Sequence, residues 1–363
     1  MRYFDNINNL QDTFYKNPSY YGLYSPKEEL SYALGACLYM PGTRKDLLKD
    51  ITSSKSMGAL SITICIEDSV TSSEVVVAEN NIINLFKSIS LLTKANDSFI
   101  DSLPLIFIRV RNINQLQRLL NQSPLIGLCG FIFPKFDALL GEQYFAMLKE
   151  YNLSNNRSLY GMPILETRSI IHKETRIEEL IKIKHITDTY KEYVLNIRIG
   201  GTDFSGLYNL RRSKDYTIYD IVVVSDCISD IVNVFKRDGY VISGVVYEYY
   251  SKTLDFNNNI LIKETLLDKA NGLTGKTVIH PTQVNVVNSL MVVSKEDYTD
   301  ACNILSSSFD GVIRSSYSNK MNEIKPHEKW AKEILLRAKI MGVLEDGQSH
   351  RELLQSISSF QHR

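Results

Sequence analysis

The chain has 363 residues, of which 44% are hydrophobic and 23% are charged, the ordinary composition of a globular protein. Lys and Arg together number 41, and so do Asp and Glu, so the formal net charge is zero. This balance excludes the strong positive field that recruits nucleic acid or an acidic membrane surface, and we expect neither as a partner. A small-molecule partner is expected instead.

The cysteines and the N-terminus favour a cytoplasmic location. None of the five cysteines, at positions 37, 65, 129, 227 and 302, belongs to a C-x-x-C pair, so we expect buried thiols in a reducing compartment. The N-terminal stretch is polar and aromatic, without the apolar core of a signal peptide. No run of about 18 apolar residues predicts a membrane span.

Eight short apolar runs, rich in β-branched residues, alternate with helical or polar stretches. In chain order they are 36–40, 61–66, 105–111, 128–133, 159–165, 194–200, 241–246 and 277–280. This alternation is typical of a parallel sheet built from βα units. A further apolar run at 221–224 lies within 218–237, which lacks Gly and Pro and has helical spacing, so we predict a helix there. The sequence therefore predicts an α/β fold, a TIM (β/α)₈ barrel.

Two segments lie outside the predicted barrel. Residues 1–34 are predicted as a partly helical N-terminal arm, 35–310 as the barrel, and 311–363 as a C-terminal helical extension. Residues 250–259 are polar and rich in turn formers, so they are predicted as a loop.

Ionisable side chains collect at the carboxyl ends of the predicted strands, where barrel enzymes build their active sites. We therefore expect one site that contains most of them. The residues are Glu67, Asp68, Arg109, Arg111, Lys135, Glu166, Asp203, Glu248 and His280.

Glu166 and Asp203 follow adjacent predicted strands, so their carboxylates are expected to converge on one divalent metal ion. Two carboxylates completed by water and substrate oxygens suit Mg²⁺, with Mn²⁺ as the alternative. The backbone of Gly200 and Gly201 allows close approach of a ligand, and with Thr202 it is expected to bind the substrate. Metal and Arg109 together would stabilise the enolate formed when a carbon–carbon bond beside a keto acid breaks.

Seven segments resemble, in order, the motifs of the citrate lyase β-subunit and HpcH/HpaI aldolase superfamily. They are LYMPGTR at 38–44, IEDSV at 66–70, IRVRN at 108–112, FPK at 133–135, ILET at 164–167, GGTDF at 200–204 and GKTVIHPTQ at 275–283. More narrowly, YVISGVVYEY at 240–249 and the long C-terminal extension resemble the stand-alone C–C bond lyase group of bacterial tellurite and stress resistance clusters.

The resemblance implies roles for individual residues. Glu166 and Asp203 match the metal ligands, and Arg109 matches the arginine that contacts the metal-bound keto acid. Glu67 and Asp68 match the acidic pair beside the metal, which makes these two and Arg109 the expected catalytic set. A further match, of His280 and Gln283 to the motif on the last strand, implies a mostly structural role. The resemblance also implies a homo-oligomer, a trimer or a hexamer.

The sequence departs from the superfamily at three places. Gly35 stands where an arginine is common, and 71–75 lacks the usual lysine and arginine. Both departures argue against a coenzyme A thioester substrate. Arg111 replaces an asparagine and, two residues from Arg109, is expected to share its strand face. This extra cation indicates a more anionic substrate, a phosphate or a dicarboxylate.

Several roles stay open at this point. Arg109 either contacts substrate or forms a structural ion pair with Glu67 or Asp68. Arg111 either contacts substrate or neutralises Asp68, and Lys135 either contacts substrate or forms a salt bridge at the rim. Glu248 serves either as an acid/base or as a hydrogen-bond acceptor for Arg211 or Arg212.

The leading hypothesis is a Mg²⁺-dependent carbon–carbon bond lyase or aldolase that acts on a small carboxylate-bearing substrate through an enolate. One alternative keeps the metal but takes a phosphorylated or nucleoside-like acid in a stress-resistance pathway. Another is a non-catalytic descendant that serves as a binding or scaffold protein.

Overall fold

A computed structural model describes residues 1–7, 10–122, 125–251, 255–308 and 310–361. The chain divides into two compact units, which are described separately. The barrel unit is Gly22–Val287, and the terminal unit combines Met1–Tyr21 with Asn288–Arg363. The division into 1–34, 35–310 and 311–363 stays a prediction.

The strands, in chain order, are β1 (Phe14–Lys16), β2 (Ala36–Pro41), β3 (Ser61–Cys65), β4 (Leu105–Arg109), β5 (Leu128–Phe133), β6 (Tyr160–Leu165), β7 (Arg198–Ile199), β8 (Lys276–Val278), β9 (Val312–Arg314), β10 (Met321–Glu323) and β11 (Val343–Leu344). The α-helices are α1 (Leu10–Thr13), α2 (Lys27–Tyr32), α3 (Leu47–Ser56), α4 (Val75–Ala95), α5 (Ile113–Gln122), α6 (Gly141–Asn155), α7 (Arg168–Ile171), α8 (Lys173–Thr189), α9 (Gly201–Leu207), α10 (Val222–Phe235), α11 (Ile260–Ala270), α12 (Pro281–Met291), α13 (Lys295–Ser306), α14 (Ile324–Met341) and α15 (His350–Gln361). Short 3₁₀ helices occupy Ser72–Glu74, Asp97–Ser102, Lys191–Tyr193, Ile218–Asp220 and Lys236–Asp238.

The barrel unit contains a parallel sheet with the strand order β7-β6-β5-β4-β3-β2-β8. The predicted strand at 241–246 forms no regular strand, but single parallel bridges join Ile197 to Ile242 and Gly244 to Lys276. The Gly244 N–H donates to the Gly275 carbonyl at 2.9 Å, so this segment lies between β7 and β8 and closes the ring. The TIM-barrel prediction is confirmed, with its seventh strand reduced to two bridges.

The barrel strands are buried because helices cover the outside of the ring. Every residue of β3, β4 and β5 is buried, which explains why these strands are nearly continuous apolar runs rather than alternating ones. The run at 221–224 lies largely in α10, as predicted. The buried residues of α10, including Val224, Ile228 and Ile231, recur at helical spacing.

One helical stretch, Ser72–Ala95, is long and apolar enough to cross a membrane by length and composition alone. It connects two neighbouring barrel strands, β3 and β4. One face is buried through residues such as Ala78, Ile82 and Phe86, while Val76 and Leu91 are exposed.

The terminal unit is mainly helical, and α14 and α15 confirm the predicted helices near the C-terminus. Its core packs α13 against α14 through residues such as Ala301, Ile334 and Ala338. The sequence did not indicate the antiparallel pairs β1–β11 and β9–β10, whose strands have three residues or fewer. In the predicted loop at 250–259, residues 252–254 lie outside the described residues, and α11 begins directly after it.

Candidate active site

The polar residues of the site occupy neighbouring strand ends of the barrel. Arg109 is the last residue of β4, Glu166 follows β6 directly, and Lys135 comes two residues after β5. Because β3 to β7 are parallel neighbours, their carboxyl ends meet at one edge of the sheet. The fold thus brings these residues together, as the sequence predicted.

Arg109 lies at the centre of three carboxylates. Its Nη2 is 2.8 Å from Glu67 Oε2, 3.0 Å from Asp68 Oδ2 and 3.4 Å from Glu166 Oε1. The Arg109 side chain is 9% exposed, so these charges interact with little screening by water. Its Nε is buried without a hydrogen-bond partner among the described residues, and this N–H remains for a ligand.

Lys135 contacts the same three carboxylates, one by its backbone and two by its side chain. Its backbone is left-handed, with a φ of 47°, an uncommon conformation for a non-glycine residue that often marks a functional site. The Lys135 N–H donates to Glu166 Oε1 at 2.7 Å, while Nζ contacts Glu67 Oε1 at 2.6 Å. The rim salt bridge weighed for Lys135 is therefore present, and substrate contact stays a prediction.

Glu166 is a buried carboxyl group whose two oxygens have different surroundings. The hydrogen bonds from Lys135 and Arg109 go to Oε1. Burial, and then the nearby charge of Asp203, raise the pKa of Glu166 to about 8, against the opposing effects of Arg109 and the Lys135 N–H. A cation beside Oε2 would hold this carboxylate ionised at neutral pH.

Glu67 and Asp68 are joined by a hydrogen bond, and their pKa values shift in opposite directions. The Asp68 N–H donates to Glu67 Oε2 at 2.8 Å. Burial raises the pKa of Glu67 above its ordinary value. Burial also acts to raise the pKa of Asp68, but hydrogen bonding to Glu67 and the charges of Arg109 and Lys135 outweigh it, so that pKa is lowered. Of the two, Asp68 is the more stable anion.

Asp203 lies in the first turn of α9, which begins immediately after the Gly200 cap. It is half-buried, and its charge reaches both Glu166 and Lys135. A Cβ atom on Gly201 would lie 2.4 Å from Val245 Cγ1, so a glycine is needed for α9 to start this close to the barrel wall.

Thr202 connects the site to a buried ion network that the sequence did not reveal. Its Oγ1 donates to Glu248 Oε1 at 3.0 Å, and the other oxygen of Glu248 contacts Arg212. Arg212 also contacts Glu264, which lies 2.9 Å from Lys276 Nζ. Arg212, rather than Arg211, is thus the partner of Glu248. The available signal was a set of charged residues, Glu264, Asp268 and Lys276, within otherwise apolar elements.

Arg111 lies beyond the end of β4, with its guanidinium group on backbone oxygens of the loop after β3. Its Nη2 donates to the carbonyls of Glu67 at 3.2 Å and Val70 at 2.5 Å. Its Nε lies 3.5 Å from the Ile66 carbonyl. These contacts position the loop that carries Glu67 and Asp68; substrate binding by Arg111 stays a prediction.

His280 and Gln283 join the last strand to the closing segment. Gln283 Oε1 accepts hydrogen bonds from the Ile279 and His280 N–H groups, while its Nε2 donates to the carbonyls of Tyr247 and Tyr249. The His280 ring stacks on Tyr250, with centroids 4.0 Å apart. This geometry agrees with the mostly structural role that the resemblance implies.

The arrangement offers a metal ion two protein ligands rather than a complete cage. Within the described ranges, no group of three His, Cys, Asp or Glu side chains is arranged to hold an ion. Glu166 and Asp203 together fit a hard cation that retains water and takes substrate oxygens, because carboxylates are its preferred protein ligands.

Comparison with solved structures finds the same fold in the following three proteins. A citrate lyase from Burkholderia xenovorans LB400 matches with a TM-score of 0.65 and 16% identity, covering 89% of this chain and 96% of that one. Protein CitE from Mycobacterium tuberculosis in complex with magnesium, acetoacetate and coenzyme A matches with a TM-score of 0.55 and 18% identity, covering 85% and 99%. RipC from Yersinia pestis matches with a TM-score of 0.50 and 16% identity, covering 72% and 95%.

No curated protein matches the chain in sequence. The family model of the C–C bond lyases of the TIM-barrel fold matches residues 28–343, which is most of the chain. The family model confirms the predicted C–C bond lyase group and the predicted enzyme class. The protein belongs to the family of C–C bond lyases of the TIM-barrel fold.

Proposed function

We propose that the protein cleaves or forms a carbon–carbon bond next to the carboxylate of a small keto acid, with Mg²⁺ held by Glu166 and Asp203. One observation carries the proposal: Glu166 is almost fully buried beside the charge of Asp203, with its Oε1 held by Arg109 and Lys135. A cation between the two carboxylates would favour the ionised form of both, which burial of Glu166 and the charge of Asp203 oppose.

Mg²⁺ suits these ligands because it keeps several waters and binds proteins through one or two carboxylates. Mn²⁺, which prefers similar oxygen ligands, is the alternative. When bound, the ion would act as a Lewis acid that stabilises negative charge on the keto acid.

The remaining residues would bind and orient the substrate. The backbone amide of Gly201 would donate to its carboxylate, whereas the Gly200 N–H already donates to the Leu165 carbonyl at 3.0 Å. The Nε of Arg109, which is buried without a partner among the described residues, would donate to the oxygen that gains charge in the reaction. Glu67 and Asp68 would keep Arg109 and Lys135 in place. Burial of Arg109 and Glu166 limits water at the reacting atoms.

The substrate we propose is a free acid rather than a coenzyme A thioester. The CitE structure in the comparison contains magnesium, acetoacetate and coenzyme A, which supports a carboxylate ligand for this chain as well. Gly35 and the uncharged start of 71–75 take away basic residues that are usual in the superfamily, and so favour the free acid. The cytoplasmic location and the trimeric or hexameric state remain part of this proposal.

Titration calorimetry with Mg²⁺ tests the metal site directly. Glu166→Gln combined with Asp203→Asn keeps the shape of both side chains and removes both charges, so Mg²⁺ affinity should fall below detection. Product analysis by ¹³C NMR, with oxaloacetate and longer hydroxy-keto acids as substrates, should show Mg²⁺-dependent cleavage that the double variant lacks. Full Mg²⁺ affinity in the double variant would contradict the proposal.

A further inference from the structure

Arg198 is a buried cation inside the barrel. It lies on β7, where it pairs with Ile164, and it is 2% exposed. Its Nη2 donates to Thr277 Oγ1 on β8 at 2.5 Å, and its Nη1 lies 4.0 Å from Met162 Sδ on β6. Its guanidinium carbon lies 5.8 Å from the ring centroid of Tyr39 on β2. Contacts with three other barrel strands mean that the side chain points into the interior of the ring.

No carboxylate among the described residues lies within ion-pair distance of Arg198. The other buried arginines, Arg109, Arg176 and Arg212, each contact at least two carboxylates. Arg198 instead has a hydroxyl, a thioether and an aromatic ring as neighbours. A buried charge is rarely left without a counter-charge, because its desolvation costs several kcal/mol, on the order of what one good ion pair returns. The charge of Arg198 is therefore not balanced by a described carboxylate.

This buried guanidinium group lies next to the candidate active site. Arg198 precedes Gly200 by two residues on the strand that leads to Asp203. Burial raises the pKa of Tyr39 to about 12, against the opposing charges of Arg198 and Arg109, so its hydroxyl stays protonated at neutral pH. Tyr39 is also partly exposed, so one side chain of this layer reaches the surface.

We propose that Arg198, assisted by the hydroxyls of Tyr39 and Thr277, binds a second anionic group of the substrate. The substrate class is then a keto acid that carries, besides the carboxylate at the metal, another carboxylate or a phosphate. Arg198 suits either group because its planar fork of donors matches both. This inference rests on the proposed function and deepens it. It also assigns the extra cation of this chain to Arg198, whereas the sequence had indicated Arg111.

The first test omits the metal, so it does not depend on the Mg²⁺ site. The melting temperature is measured without Mg²⁺ in increasing malonate and, separately, increasing inorganic phosphate, with chloride of equal ionic strength as the reference. Wild type is compared with Arg198→Met, which keeps the length of the side chain without its charge, and with Arg198→Lys. We expect anions to stabilise the wild type, Arg198→Lys to retain part of that response, and Arg198→Met to lose it.

Arg176→Met is the matched control, because Arg176 is equally buried but ion-paired with Asp226 and Asp230 at 2.7 and 2.8 Å. Its removal should lower the melting temperature without changing the response to anions. The Arg198→Met protein should, in contrast, be at least as stable as wild type in chloride, because an unpaired buried charge has been removed. If Arg198→Met does not fold, Arg198→Gln keeps the hydrogen bond to Thr277 and serves in the same comparison.

The second test compares pyruvate with oxaloacetate by calorimetry at saturating Mg²⁺. One charge-assisted interaction corresponds to roughly a tenfold to hundredfold difference in affinity. We expect Arg198→Met to weaken oxaloacetate by about that factor and to leave pyruvate unchanged. In the first test, a larger rise in melting temperature with malonate than with phosphate would indicate that the second group is a carboxylate. A larger rise with phosphate would indicate that it is a phosphate.

The inference would be overturned if anions raised the melting temperature of Arg198→Met as much as that of wild type. It would also be overturned if Arg198→Met bound pyruvate and oxaloacetate more weakly by the same factor. Arg198 would then be a packing residue. Absence of any Mg²⁺-dependent keto-acid binding in wild type, together with a normal anion response through Arg198, would instead overturn the proposed function alone.

Discussion

A Cβ atom on Gly200 would lie 2.3 Å from Oε2 of Glu166, closer than two such atoms approach in proteins. The same Cβ would also lie 2.3 Å from the Glu166 Cβ. Gly200 therefore leaves the space that the Glu166 carboxylate occupies, and its oxygen faces the turn that carries Asp203. The glycine acts through close approach and not through backbone freedom, since its φ of −93° is open to any residue.

Gly200→Ala should displace the Glu166 carboxylate and weaken Mg²⁺ binding by at least about tenfold, since small misplacements of a site group have effects of this size. Calorimetry with Mg²⁺ measures the change. Gly206→Ala on the same helix is the control, because no atom lies within 4 Å of its added Cβ. That control should bind Mg²⁺ as wild type does and gain about 0.4–1 kcal/mol of stability. Equal Mg²⁺ affinity in both variants would argue against the role given to Gly200.

The raised pKa of Glu166 predicts a pH-dependent stability difference in the metal-free protein. In the folded state this pKa is about 8, above its ordinary value of 4.5, so the folded protein binds the proton more tightly. As pH rises from about 4.5 towards 8, Glu166 ionises in the unfolded chain before it ionises in the folded protein. The stability of the folded state therefore falls over this range. Glu166→Gln mimics the protonated form, so its stability relative to wild type should increase over this range and level off above it.

Chemical denaturation of both proteins at pH 6, 7, 8 and 9 measures this difference. The control is Glu328→Gln, since hydrogen bonding to Lys332 lowers the pKa of the exposed Glu328. That interaction is fully present throughout the tested range, so the control difference should not change with pH. A pH-independent difference for Glu166→Gln would mean that the buried carboxyl ionises at its ordinary value.

Arg212→Met should destabilise the barrel unit, because Glu264 is fully buried and would lose one of its two cations. Breaking a buried ion pair by removing one partner costs about 3–5 kcal/mol, and Lys276 should limit the loss to about 3 kcal/mol. The unfolding free energy in urea measures it. Exposed Arg211 provides the control, and Arg211→Met should change stability by less than about 0.5 kcal/mol. Similar values for the two variants would show that the buried network contributes little.

Arg111→Lys should weaken the site indirectly, through the loop that carries Glu67. A lysine ammonium group cannot reproduce the planar guanidinium group, which donates to several carbonyls. We therefore expect the free energy of substrate binding to weaken by about 1–2 kcal/mol. Because this role positions the loop, the affinities for pyruvate and oxaloacetate should fall by the same factor. Arg118→Lys, which changes an exposed pair with Glu79, is the control. If Arg111→Lys weakened the binding of oxaloacetate but not of pyruvate, Arg111 would contact the substrate directly, as the sequence indicated.

The sequence alone determined the barrel and the residues gathered at its active end. Buried parallel strands must be nearly continuous apolar runs, so they stand out in the chain, and an ionisable residue directly after such a run must lie at the carboxyl edge. Glu67, Arg109, Glu166 and Asp203 were found in this way. The seventh strand was predicted at the correct position. Its reduction to two single bridges could not be predicted, because its pairing depends on both neighbouring strands.

Only the tertiary structure decided which partner each charged side chain has. Arg111 was expected to face the site with Arg109 because alternate residues of a strand share a face, but β4 ends at Arg109 and that rule no longer applies beyond it. The partners of Arg198 and Lys276 come from strands and helices far away in the chain. A pattern of residue types cannot specify such distances, because they depend on how the ring closes. For the same reason, the burial of Arg198 away from the carboxylates of the described residues became visible only in the folded barrel.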